Sequence, residues 1–209
     1  FAVGVPFESA WMGKIQKANP DLVIVHTDAW IEKQPIDRTE SANHAHGGKD
    51  PHIWLSPPLV MIQVRHMLTA FIAADPQHAE FYNTRYRKFI SGLNELDAEL
   101  RSLFSAGEDS PEFLVFHPSW GYFADAYGLK QIPVEKAGKA PKSKEIQQLI
   151  RHARQEKIQA VLVQPQVSSR TADVIARAID GKTVDADPLA ENWRENLLSV
   201  AEQIRQAAR

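Results

Sequence analysis

Phe113-Leu114-Val115-Phe116-His117-Pro118-Ser119-Trp120-Gly121-Tyr122-Phe123-Ala124-Asp125-Ala126-Tyr127-Gly128 reads as a strand, a turn and a short helix. Four consecutive apolar residues at 113–116 suit a strand covered on both faces, as in a parallel sheet. Residues 119–127 follow as a helix, which Gly128 closes. The alternation then repeats downstream. Residues 131–134 form a weak strand whose Pro133 marks an edge or an end. Ser143 caps a helix with Ile146, Leu149, Ile150 and Ala153 on its apolar face. Strand 160–163, helix 168–179 (stopped by Asp180-Gly181), a strand led by Thr183-Val184 and a terminal helix 192–208 complete the series. Strands alternating with helices require right-handed crossovers, hence a parallel, doubly wound sheet over residues 111–209.

Upstream, residues 105–111 are linker-like, and 77–104 form a long helix. Tyr82, Tyr86, Phe89, Leu93, Leu96, Leu100 and Leu103 follow one another at steps of four and three. The chain has no second heptad run to pair with this one, which favours a single helix lying along two lobes over a coiled coil. Pro57–Ala74 reads as a further helix with Val60, Val64, Met67, Leu68 and Phe71 on one face. His66 lies off that stripe and reads as a packing or surface histidine. Residues 1–5 and 22–25 read as short strands around a helix at 6–17, and 29–49 as an irregular stretch. The expected architecture is therefore α/β: a partial first lobe at 1–76, a connecting helix and linker at 77–110, and a second lobe at 111–209. With two short strands in its sheet, the first lobe is expected to be incomplete, and its open edges favour a homodimer.

The composition narrows the function classes. A formal net charge of −2 on 209 residues offers no basic stripe, so nucleic acid and anionic membranes are not expected partners. No apolar run is expected to reach the roughly 18 residues of a membrane span. The opening Phe1-Ala2-Val3-Gly4-Val5 reads like the middle of a fold, so further residues are expected upstream. The absence of cysteine excludes disulfides, thiolate zinc sites and cysteine nucleophiles, leaving His, Asp and Glu as metal donors. There is no His-Glu-x-x-His, Gly-x-Ser-x-Gly, P-loop or Gly-x-Gly-x-x-Gly motif.

In open parallel sheets, ligands gather at the carboxyl ends of strands. His117 follows one strand and Asp187 another, while His52 sits at a loop-to-helix corner with His44 and His46 close upstream. Two imidazoles and a carboxylate suit zinc or a neighbouring divalent metal. A lone histidine at such a corner more often only packs; the later His117 and Asp187 are what make a shared site worth weighing. Asp185 is an alternative, but it falls within the strand and should point elsewhere. Because only neutral imidazole coordinates, binding at such a set should weaken in acid.

The motifs Asp50-Pro51-His52-Ile53-Trp54-Leu55-Ser56-Pro57, Phe116-His117-Pro118-Ser119-Trp120-Gly121-Tyr122-Phe123 and Asp187-Pro188-Leu189-Ala190 resemble the metal-binding substrate-binding proteins of ABC importers, the ZnuA/TroA (cluster A-I) type. The resemblance extends over essentially the whole chain. It implies two α/β lobes joined by one long rigid helix, with the metal held between them. His52 and His117 match the family's second and third histidine ligands, and Asp187 its carboxylate. Histidine at position 117, where manganese-binding members usually carry Glu, implies Zn2+ rather than Mn2+ as the transported ligand. The loop with His44 and His46 resembles a short form of the His-rich loop of zinc members. The family's first histidine ligand has no counterpart in residues 1–209. The implied function is a non-enzymatic, periplasmic, high-affinity zinc-binding protein that delivers metal to an ABC permease in the inner membrane. The alternatives are a metal-dependent hydrolase, which would need an open coordination position and a base, and an adhesion protein stabilised by its metal.

Overall fold

A computed structural model describes residues 1–36, 48–105, 110–135, 138–166 and 170–207. The second lobe carries a four-stranded sheet with β1 (Glu112–Val115), β2 (Lys130–Pro133), β3 (Ala160–Val163) and β4 (Lys182–Asp185). The strand order is β2-β1-β3-β4 and every pairing is parallel. Side chains of a strand alternate between faces, and here both faces are covered. Phe113 and Val115 enter one core with Ala160 and Leu162, while Leu114 and Phe116 enter the other with Val161 and Val163. This two-sided burial is why residues 113–116 and β3 are unbroken apolar runs rather than alternating ones. Pro133 ends β2, and β2 is an edge strand, where a missing N–H costs no ladder bond.

The first core is closed by α3 (Ala79–Phe104), α4 (Gly121–Tyr127) and α7 (Trp193–Ala207), the second by α5 (Ser143–Gln155) and α6 (Arg170–Ala178). Gly128 adopts φ +68° just past α4, a left-handed conformation that ends the helix at no steric cost. Ser143 is the first residue of α5 rather than its cap. The cap is Lys142, whose backbone N–H donates to the Glu145 carboxylate (2.6 Å), so an acidic side chain three residues on satisfies the donor at the cap itself.

Two expectations for the first lobe need correction. The strands expected at 1–5 and 22–25 reduce to one parallel bridge between Ala2 and His26. Ala2 N–H donates to Val25 O and Thr27 N–H to Ala2 O, both at 2.8 Å. With no third strand beside them among the described residues, two short apolar runs do not extend into a ladder. Second, α2 (Pro57–Ala74) is long and apolar enough, by length and composition, to cross a membrane. Gln63, Arg65 and His66 interrupt its apolar run, and the helix packs along α3. His66 is a packing histidine: its Nε2 meets Ala29 O at 2.9 Å, and its ring lies edge-on to Trp30. Among its described residues the first lobe also holds α1 (Pro6–Ala18), none of it buried, and an antiparallel bridge between Pro35 and Lys49.

Candidate metal centre

His52 is placed by a tight turn. Its backbone N–H and its ring Nδ1 both meet Oδ1 of Asp50, at 3.0 and 2.7 Å, and the residue leads a single 3-10 turn, Ile53–Leu55. Ile53 and Leu55 are fully buried, which anchors the turn in the protein interior. Asp50 is itself only 1% exposed. Its peptide is held from the second lobe, because the Tyr122 hydroxyl donates to Asp50 O (3.0 Å) and accepts from the backbone N–H of Gln34 (2.9 Å).

His117 is placed by the sheet. It follows β1 by two residues, and Phe116 N–H donates to Leu162 O of β3 (2.8 Å). The β1–β2 register pairs Val115 with Pro133, and continuing it by two residues sets His117 opposite Glu135. Backbone bonds carry the chain there: Val134 N–H to Val115 O at 2.8 Å and Glu135 N–H to Phe116 O at 3.1 Å. His117 Nδ1 accordingly meets Oε1 of Glu135.

The two imidazoles are neighbours, with ring centroids 5.4 Å apart and planes at 76°. Where a neutral imidazole donates Nδ1–H to a carboxylate, its Nε2 keeps the lone pair. Asp187 stands at the end of β4, two residues beyond Asp185. Indole donors tie its loop to the His52 turn: Trp54 Nε1–H to Pro188 O (2.8 Å) and Trp193 Nε1–H to Trp54 O (2.9 Å). The Asp187 carboxylate accepts from Gln166 Nε2 (3.0 Å) and from the backbone N–H of Leu189 (2.9 Å). Among the described residues, no three His, Asp or Glu side chains are gathered into a group that could hold a metal. The structure thus brings His52 and His117 together and ties the Asp187 loop beside them through Trp54. His44 and His46 lie outside the described residues.

The sequence-level reading missed Asp50 and Glu135 as partners of the two imidazoles, and the two indoles that tie the loops. A cavity of about 670 Å³ lies elsewhere, between α2, α3 and α7. It is lined mainly by apolar residues and touches none of His52, His117 and Asp187.

Residues 1–207 match the family model of ZnuA, the periplasmic zinc-uptake complex component A. The chain belongs to the ZnuA family. The high-affinity zinc uptake system protein ZnuA of Bacillus subtilis (strain 168) is 31% identical over 136 residues, which is 64% of this chain and 42% of that protein. A crystal structure of ZnuA superimposes with a TM-score of 0.89 at 33% identity, covering 99% of this chain and 78% of that one. A zinc-bound ZnuA deletion mutant lacking 138–173 gives 0.88 at 32% identity, with 99% and 76% covered. The chain therefore spans less than half of the curated ZnuA relative and about three quarters of the solved ZnuA chains. These ZnuA structures bear out the expected α/β class and the likeness to two-lobed binding proteins. ZnuA proteins are zinc-uptake components, not enzymes, which removes the hydrolase alternative.

Proposed function

We propose that this chain binds Zn2+ between its two lobes through His52, His117 and Asp187, outside the cytoplasm in the periplasm, and delivers it to an ABC permease in the inner membrane. The observation that carries this reading is the imidazole pair. Two histidines from different lobes stand with centroids 5.4 Å apart, each with Nδ1 on a carboxylate and Nε2 left to coordinate. That donor set fits zinc, which takes neutral imidazole readily and tolerates a mixed nitrogen and oxygen shell. Magnesium and calcium prefer all-oxygen sites. Asp187 supplies a carboxylate from a third loop, and His44 and His46 a prior capture point. The domain limits that go with this reading are 1–76, 77–110 and 111–209, the long helix being the rigid connector. A second copy of the chain, docked through the first lobe, completes the proposed partners.

The test is a competition titration of zinc-free protein against a chromophoric chelator. The wild type should bind one zinc per chain. His52→Ala and His117→Ala should each weaken binding by at least about tenfold, since each removes one ligand. Asp187→Ala should weaken it as well. A His52→Ala/His117→Ala double variant that still binds with wild-type affinity, while its melting temperature is unchanged, would sink the reading.

A further inference from the structure

We infer that Glu135 and Asp50 are the positioning residues of this site, each locking its histidine as the Nδ1–H tautomer so that Nε2 is the coordinating atom. The inference rests on the zinc reading above and extends it to residues that do not touch the metal.

The two contacts are built alike on unrelated elements. Asp50 lies two residues before His52 in a turn, and Glu135 lies 18 residues after His117, across a parallel strand pair. Neither carboxylate is a loose surface group. Asp50 has 1% of its side chain exposed and Glu135 12%. Backbone bonds hold each one in place: Oδ1 of Asp50 also accepts His52 N–H, and Glu135 N–H donates to Phe116 O. Exposed ion pairs have none of this support and contribute little.

The chemistry follows from which nitrogen carries the hydrogen. A neutral imidazole has one N–H and one lone pair, and without a partner the hydrogen is shared between Nδ1 and Nε2. A carboxylate on Nδ1 removes that choice before any metal arrives. Binding then needs no tautomer exchange, and the carboxylate also makes the imidazole a better donor. Two further negative charges behind the imidazoles offset the charge of a dication and favour it over an anion. Glu135 also explains why the β1–β2 register matters to function: a one-residue slip would move the carboxylate to the opposite face of the sheet.

The experiment uses the full chain, uniformly 15N-labelled and zinc-free, at alkaline pH. Long-range 1H–15N spectra report the tautomer of each histidine. His52 and His117 should both show the Nδ1–H pattern in the wild type. Glu135→Ala should shift His117 alone toward the Nε2–H form, and Asp50→Asn, whose amide oxygen still accepts, should keep His52 as Nδ1–H. By competition titration, Glu135→Ala should weaken zinc binding about 10- to 100-fold, and Glu135→Gln should restore part of that loss. Glu135→Gln also controls for folding, because it preserves size and an acceptor. If His117 remains wholly Nδ1–H in a folded Glu135→Ala variant, or if its tautomer changes while zinc affinity does not, the positioning role is overturned. A wild type that shows both Nδ1–H patterns but binds no zinc would refute the metal reading and leave the tautomer assignment standing.

Discussion

Glu112, at the start of β1, shows how much one carboxylate can depend on its neighbours. Lys130 Nζ donates to its Oε1 at 2.7 Å, and His152 Nε2 contacts its Oε2. Burial pushes its carboxyl up and is the largest single influence, yet the hydrogen bonds from Lys130 and His152 together hold it below its ordinary value. A carboxyl lowered in the folded state stabilises the fold at pH values above its unfolded pKa. That stabilisation is lost as pH falls through the folded value. Glu112→Gln should therefore cost about 0.5–1 kcal/mol near neutrality, a modest figure because Lys130 is largely exposed. The difference between variant and wild type should shrink toward zero in acid. Chemical denaturation at a series of pH values checks this, and a gap that widens on acidification would contradict it. At the same scale, the histidines were legible and their carboxylates were not. His52 and His117 stand at a turn and a strand end, positions that sequence pattern reveals. Glu135 becomes a neighbour of His117 only once the β1–β2 register is known, and that register is a property of the folded sheet.

Among the elements, α3 does two jobs along its 26 residues. Its C-terminal half carries Leu96 and Leu100 into the core of the second lobe, next to Phe113, Phe123 and Leu197. Tyr127 of α4 reinforces that contact by donating to Asp97 (3.1 Å). Burial and the Asp97 charge both push the Tyr127 hydroxyl upward, so it stays a neutral donor. The N-terminal half of α3 instead faces α2 across the apolar groove, with Phe81 55% and Phe89 48% exposed. Substitutions of similar size should then differ sharply along one helix. Leu100→Ala, at a fully buried site, should cost about 2–5 kcal/mol. Phe89→Ala should cost clearly less, because part of its ring is already in water. Thermal melts of both variants would decide, and equal losses would mean that the two halves are buried alike in solution. The heptad-like stripe was readable from the sequence, but the half of it that is buried was not. Periodicity reports which residues share a face, whereas burial depends on what that face meets.

For the whole molecule, the two lobes differ in how far local signals could carry them. The second lobe was legible almost element by element, because its apolar runs, turns and helix faces all agree with one parallel sheet. In the first lobe the apolar runs at 1–5 and 22–25 promise strands, yet a ladder needs partners, and a single bridge is what forms. The consequence is a surface with unsatisfied apolar area. Phe7 and Trp11 pack on each other along α1 at 5.0 Å between ring centroids, yet remain 55% and 59% exposed. Ile15 and Val23 add to the same lobe at 45% and 80% exposed. A cluster of aromatic and aliphatic side chains of this kind favours association, since removing apolar area from water stabilises by about 25 cal/mol per Å². The chain should thus show concentration-dependent self-association, rising with salt as expected for apolar rather than charged contact. Trp11→Lys should shift the equilibrium toward monomer, leaving zinc binding at the His52–His117 pair intact because α1 contributes no residue to that site. Light scattering across a concentration series checks both statements. A strictly monomeric wild type at high concentration would show that the exposed face of α1 is tolerated in water, and the proposed second copy would be withdrawn.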